Sequence, residues 1–98
     1  MQLTSAAIQV LPMNANNEEV VRIVDEAIAY IKSFKLNTTV GPFETTVEGD
    51  YDTIMKIISE VTRISLKAGA DEIMTYIKIC AKAEGDVMTI DEKTKKHN

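Results

Sequence analysis

The residues that could do chemistry in this 98-residue chain are concentrated in one short stretch, GPFETTVEGD, which runs from Gly41 to Asp50. The stretch begins at a Gly-Pro turn signal and continues as a strand that carries two carboxylates, Glu44 and Glu48. Because side chains alternate between the two faces of a strand, Glu44, Thr46 and Glu48 share one face. Carboxylates and hydroxyls on one sheet face can bind a cation and form hydrogen bonds, so this face is the first candidate for a polar ligand site.

The same residue types argue against catalysis. Glu44 and Glu48 would lie about 13 Å apart at roughly 3.3 Å per residue, whereas carboxylates that act together on one glycosidic bond are ~5 to 9.5 Å apart. The only histidine, His97, is next to the chain terminus, and the single cysteine, Cys80, has no neighbouring cue for a thiolate. We therefore predict that the protein is not an enzyme, has no cofactor and holds no metal.

The elements that position the candidate face follow from the spacing of apolar residues. We predict strands in LTSAAIQVLP, LNTTV, FETTVE and EIMTYIKICAKA, helices in NNEEVVRIVDEAIAYIKSF and after Asp50, and a short terminal helix in MTIDEKTKKHN. Asn16 and Asp50 are the expected N-caps, Gly69 the expected end of the second helix, and Thr89 with Glu92 a capping box. Pro12 should end the first strand.

The order of these elements predicts the fold class. A β-α-β-β-α-β order with a short C-terminal helix predicts an α+β protein with the ferredoxin-like plait, a four-stranded antiparallel sheet carrying two helices on one face, in a single domain over residues 1–98. We expect Gly41-Pro42 to form a tight hairpin turn that places Thr39 opposite Glu44. The helix-covered face should include Ala6, Ile8, Val10, Val40, Phe43, Val47, Ile73, Ile77 and Ile79.

The other face of the sheet, which we call the open face, combines polar and apolar side chains. We assign to it Ser5, Ala7, Gln9, Asn37, Thr39, Glu44, Thr46, Glu48, Met74, Tyr76, Lys78 and Cys80. A two-layer protein can leave such a face in water, but Met74, Tyr76 and Cys80 are more apolar than the residues expected on a face that only contacts water. We therefore expect the open face to be shared between a subunit contact and a small ligand, in a homotetramer built as a dimer of dimers.

Composition narrows the classes of partner. Hydrophobic residues make up 45% of the chain and charged residues 27%, which is typical of a folded domain. With a net charge of −4, no Trp and only two Phe, the chain offers neither a basic surface nor a stacking platform, so we predict no nucleic acid partner. No apolar run is long enough to cross a membrane, and a single cysteine favours a reducing compartment, so we predict a cytoplasmic protein without a membrane partner.

Three motifs resemble a known family. GPFETTVEGDYDTIM, with YIKI in the last strand and IDEKTKK near the end, is similar to the small thiamine-binding proteins of bacteria, archaea and fungi, formerly grouped as an uncharacterised family. The most specific part is G-P-x-x-T-x-x-E-G-D, and the resemblance covers essentially the whole chain. It implies a ferredoxin-like fold, tetramers that associate through their sheets, and binding of thiamine or its hydroxymethylpyrimidine part.

A thiamine-type ligand, which is cationic, is compatible with the open face. A thiazolium needs an anion, and an aminopyrimidine needs hydrogen-bond partners and a surface on which its ring can pack. The predicted ligand-binding residues are Gln9, Thr39, Glu44, Thr46, Glu48 and Tyr76. We expect Glu48 to matter more than Glu44, because a partner subunit would bury it. The alternative is a regulatory module that senses an amino acid or another metabolite, since the fold does not identify the ligand.

Overall fold

The predicted caps and apolar stripes produce the expected elements in a computed structural model that describes residues 2–97. The strands are β1 (Leu3–Met13), β2 (Asn37–Val40), β3 (Thr45–Asp50) and β4 (Glu72–Cys80), and the helices are α1 (Asn17–Lys32), α2 (Tyr51–Lys67) and α3 (Ile90–Thr94), which continues into a 3₁₀ turn at Lys95–His97. The strands form one antiparallel sheet in the order β2-β3-β1-β4. The predicted ferredoxin-like plait is confirmed.

The ends of the helices are capped where the sequence predicts. Asn16 Oδ1 accepts a hydrogen bond from the Glu19 amide at 2.9 Å, and Asp50 accepts from the Thr53 amide at 3.1 Å. These side chains satisfy amides in the first turn that have no partner within the helix. After α2, Gly69 adopts a φ of 117°, a region that glycine enters without steric penalty. Local sequence therefore determines where α1 and α2 begin and where α2 ends.

The core lies between α1, α2 and one face of the sheet. Its fully buried members include Ile31 on α1, Ile54 and Ile57 on α2, and Val47 on β3. The two helices thus present their apolar stripes to the same sheet face and leave the opposite face, called open above, free of α1 and α2. Between residues 2 and 97, no helix combines the length and the apolar character that a membrane crossing requires.

The hairpin between β2 and β3 differs from the prediction. Thr39 lies opposite Thr46, not opposite Glu44, and the Gly41 amide donates to the Glu44 carbonyl at 2.9 Å, so Pro42 and Phe43 occupy the centre of the turn. Proline sets φ for the first central position of a turn, which explains why the centre of the turn lies one residue later in the chain than predicted. The change of register moves partners by two residues and therefore preserves which β2 and β3 side chains share a face. Val40 at the end of β2 and Ile79 near the end of β4, both predicted to lie under the helices, are nevertheless 45% and 46% exposed, because the helices do not cover the ends of these strands.

Two further expectations, for Phe43 and Pro12, are wrong. Phe43, predicted to pack under the helices, is 78% exposed because it belongs to the turn. Pro12 does not end β1, which continues to Met13 and pairs with β4 opposite Ile73. Beyond Ile8, β1 has no β3 partner, so its outer half is an edge on that side, where a residue without an amide hydrogen is tolerated.

Candidate functional site

A recess of about 350 Å³ lies on the open face of the sheet. Its lining comes from all four strands, the β2–β3 turn and α3, and includes Ser5, Ala6, Ala7, Thr39, Glu44, Thr46, Lys78, Ile79, Cys80, Ile90, Lys93 and Thr94. Three of the six predicted ligand-binding residues, Thr39, Glu44 and Thr46, are among them. This recess is the candidate functional site.

The sheet register brings the lining together. Ala7 on β1 lies opposite Thr46 on β3 and opposite Lys78 on β4, and Thr46 in turn lies opposite Thr39 on β2. Directly opposite residues of antiparallel strands project from the same face. A row of two hydroxyls, one methyl group and one ammonium group therefore crosses the recess, and the small side chain of Ala7 leaves space in its centre.

The charges of the recess are mixed. Lys78 Nζ lies 3.2 Å from Glu44 Oε1, in an ion pair whose side chains are 76% and 35% exposed. Lys93 on α3 adds a second cation to the lining. The sequence predicted an anion for a cationic ligand; the recess supplies one in Glu44, but a lysine already pairs with it.

Glu48, the other predicted carboxylate, is buried but does not line the recess. It is 8% exposed, its Oε1 accepts from Asn37 Nδ2 at 2.5 Å, and its Oε2 accepts from the Ile90 amide at 3.0 Å. Burial was expected from a partner subunit, whereas here the chain's own C-terminal segment covers the carboxylate. Both oxygens of Glu48 are thus directed to internal donors.

The C-terminal segment, residues 81–97, forms the wall of the recess that sequence reasoning did not anticipate. Val87 is 4% exposed and Ile90 is 9% exposed, and the Val87 amide donates to the Leu3 carbonyl at 3.4 Å. The capping box predicted α3 itself, but its position on the open face was missed. Two apolar residues, Val87 just before the capping box and Ile90 within it, were the available signal that this helix packs against another part of the protein.

The capping box at the start of α3 is fully formed. The Thr89 hydroxyl accepts from the Glu92 amide at 3.0 Å, and the Glu92 carboxylate accepts from the Thr89 amide at 2.9 Å. The backbone hydrogen bond from Thr89, followed by the bond to its side chain, lowers the pKa of Glu92 below its ordinary value. The short helix beside the recess therefore keeps its shape through its own local bonds.

The remaining predicted residues, Gln9 and Tyr76, lie on the open face but outside this recess. They are opposite each other in the β1–β4 pairing. Tyr76 is 49% exposed and its hydroxyl donates to Met74 Sδ at 3.7 Å. With Met74 and Leu11, which lie opposite each other, Tyr76 forms an exposed apolar patch next to the part of the face that α3 covers. The patch and the recess therefore divide the open face.

A second concavity of about 360 Å³ lies between α1 and the β2–β3 turn. Aliphatic side chains such as Val20, Val24 and Ile28 make up much of its lining. Two predicted ligand-binding residues, Gln9 and Glu44, also line it. This groove has fewer hydroxyl groups than the recess. It is an alternative location for a small ligand.

Relatives of known sequence and structure match nearly the whole chain. A UPF0045 protein of Clostridium perfringens is 33% identical over 97 residues, which is 99% of each chain. A structure of a DUF77 domain from Bacillus cereus is 33% identical with a TM-score of 0.86, covering 99% of this chain and 91% of the other. A Thermotoga maritima structure, provisionally assigned to thiamine biosynthesis or salvage, is 31% identical with a TM-score of 0.85, covering 98% and 99%.

The family of this chain is identified by comparing its sequence with a sequence model of a whole protein family. The sequence model of the family described as thiamine-binding protein matches residues 6–98, which include every strand-borne residue of the recess except Ser5 and all of α3. The chain therefore belongs to the thiamine-binding protein family.

Proposed function

We propose that this protein binds thiamine, or its hydroxymethylpyrimidine moiety, in the recess of the open face and does so without catalysis. The proposal is supported by the convergence of Thr39, Glu44 and Thr46 on one recess in a chain that belongs to the thiamine-binding protein family. We further propose that it acts in the cytoplasm, as a single domain.

The chemistry of the lining supports this ligand class. Hydroxyl groups can both donate and accept, so Thr39, Thr46 and Ser5 suit the donor and acceptor edge of an aminopyrimidine. The carboxylate of Glu44 suits the thiazolium, and the 35% exposure of its side chain limits how strong that interaction can be. Ala7 and Ile90 provide apolar surface for a ring.

We propose that the protein works as a homotetramer, a dimer of dimers whose sheets face one another. Leu11, Met74 and Tyr76 are 37%, 43% and 49% exposed on the open face, next to the recess. An association that covers this patch would bury apolar surface and bring Gln9 and Tyr76 close to a ligand that extends from the recess.

A second candidate, an amino-acid-sensing regulatory module, is favoured by one observation. The recess holds both a carboxylate, Glu44, and ammonium groups on Lys78 and Lys93. A zwitterionic amino acid presents the complementary pair of charges. Membership of the thiamine-binding protein family favours thiamine over this alternative.

The test is a calorimetric titration of the purified full-length protein with thiamine, hydroxymethylpyrimidine, the phosphate esters of thiamine and a panel of amino acids. We expect saturable binding of thiamine or of its pyrimidine part and none of amino acids. Binding of an amino acid without thiamine would favour the regulatory module, and binding of neither would refute both.

A pair of variants locates the site. Thr46→Phe places a large side chain, still compatible with a strand, inside the recess, whereas Val21→Phe fills the groove beside α1. We expect Thr46→Phe to abolish thiamine binding and Val21→Phe to leave it unchanged, provided that both variants melt cooperatively. The opposite result would assign the ligand to the α1 groove.

A further inference from the structure

Glu48 is a carboxylate that the proposed ligand contacts leave unassigned. It is 8% exposed on a central strand, and burial of an ionised group is costly unless hydrogen bonds compensate for the lost water. Its two oxygens accept from Asn37 Nδ2 on β2 and from the Ile90 amide at the start of α3. Glu48 therefore connects the sheet to a segment 42 residues further along the chain.

The helix α3 depends on such connections for its position. It has only 5 residues, and helices shorter than about 12 to 15 residues are marginal in water by themselves. The capping box between Thr89 and Glu92 stabilises its shape but does not attach it to the sheet. Attachment comes from the buried side chains of Val87 and Ile90, from the Val87 amide, which donates to the Leu3 carbonyl, and from the Glu48 hydrogen bond.

Hydrogen bonds to the start of β1 hold the segment that precedes α3. The Leu3 amide donates to Asp86 Oδ1 at 2.7 Å, and Gln2 Nε2 donates to the Lys82 carbonyl at 2.6 Å. Asp86 and Lys82 are exposed, as is Gln2, so water can replace these bonds at little cost. Among the three side-chain hydrogen bonds that hold this segment, the one from the Ile90 amide to Glu48 is the buried one.

We propose that Glu48 is a positioning residue, which holds α3 on the open face as a wall of the recess, so that ligand affinity depends on the docking of residues 81–97. The proposal rests on the proposed function of the recess. α3 contributes Ile90, Lys93 and Thr94 to the lining. When α3 detaches, the recess loses one side. A ligand that binds only the docked state then has an apparent Kd equal to its intrinsic Kd divided by the fraction of molecules in which α3 is docked.

The experiment combines amide hydrogen exchange with thiamine calorimetry on full-length variants. Glu48→Ala should accelerate exchange of the Ile90 and Val87 amides by roughly ten- to hundredfold, the loss expected for a hydrogen bond to a charged group. Thiamine Kd should rise as the inverse of the docked fraction that the exchange rates report, which is about tenfold if α3 is docked in one molecule of ten. Glu48→Gln should have a smaller effect on both quantities, because its amide oxygen can still accept from Ile90.

Two further variants separate positioning from general destabilisation. Val87→Ala loosens the same segment while Glu48 stays intact, so it should also raise the Kd. Ile57→Val removes a methyl group from the core between α2 and the other face of the sheet, where it should lower the melting temperature without changing the Kd.

Three results would overturn the proposal. Unchanged exchange in Glu48→Ala would show that Glu48 does not hold α3. Exchange fast enough to show that α3 is undocked in most molecules, together with an unchanged Kd, in Glu48→Ala or in Val87→Ala, would show that α3 is no wall of the site. A raised Kd with unchanged exchange would make Glu48 a direct ligand contact. If the wild type binds no thiamine, the proposed function and the predicted effect on affinity both fail, while the exchange data still decide whether Glu48 anchors α3.

Discussion

Neutralising Glu44 should weaken thiamine binding, whereas neutralising Lys78, its partner in the ion pair, should strengthen it. Glu44→Gln removes the anion that would face the thiazolium, and Lys78→Met removes the cation that competes for that anion. The two groups are 3.2 Å apart with side chains 35% and 76% exposed, so the charge contact is worth at most about 1 kcal/mol. This corresponds to about a fivefold rise in Kd for Glu44→Gln and up to about a fivefold fall for Lys78→Met.

The assay is calorimetry with thiamine and with hydroxymethylpyrimidine, which lacks the thiazolium, at low and at high salt. Only thiamine should respond strongly to the two substitutions, and the response should shrink at high salt because the interacting charges are partly exposed. Unfolding free energy should fall in both variants by no more than about 1 kcal/mol.

An ion pair on α2 is a matched control. Arg63 and Glu60 lie 2.8 Å apart with exposures of 72% and 36%, close to those of the recess pair, and α2 packs on the other face of the sheet. Glu60→Gln and Arg63→Met should change stability by a similar small amount and leave thiamine affinity unchanged. If Glu44→Gln and Lys78→Met both weaken binding, or if they affect hydroxymethylpyrimidine as strongly as thiamine, the reasoning from ligand charge is refuted.

Three other predictions concern assembly, pH and the backbone. Tyr76→Glu should weaken the proposed tetramer, because it places a carboxylate in the exposed apolar patch, and light scattering that shows an unchanged tetramer would contradict the assigned interface. Hydrogen bonds from the side chain and then the backbone amide of Thr53 lower the pKa of Asp50 below its ordinary value of 3.8, so the stabilisation by this cap is complete above pH 3.8 and is lost as the pH falls through the lower folded-state pKa. Asp50→Asn, which still caps but does not titrate, should therefore lose less stability than the wild type across that interval in acid denaturation. Gly69→Ala should destabilise the protein by roughly 1–2 kcal/mol in urea denaturation, since Gly69 has a φ of 117°, and an unchanged midpoint would show that the backbone relaxes there.

The sequence by itself determined the elements and the two faces of the sheet. Caps such as Asn16 and Asp50 act within one turn of the chain, and the apolar spacing follows the helix and strand periods, so both signals are local. The alternation of side chains along β3 placed Val47 in the core and Thr46 on the open face, even though the centre of the hairpin turn was predicted one residue too early. A shift that moves partners by two residues leaves the face of each side chain unchanged.

Only the tertiary structure decided which open-face residues form one site. Glu48 and Thr46 are both on the open face of β3, yet one binds the Ile90 amide and the other lines the recess. That difference depends on where α3 packs, 42 residues beyond Glu48. Lys78 on β4 likewise meets Glu44, in the turn just before β3, only because a single strand, β1, lies between β3 and β4 in the sheet. Contacts between distant segments carry no periodic signal in the sequence, so the ligand-facing role of each polar residue follows from packing.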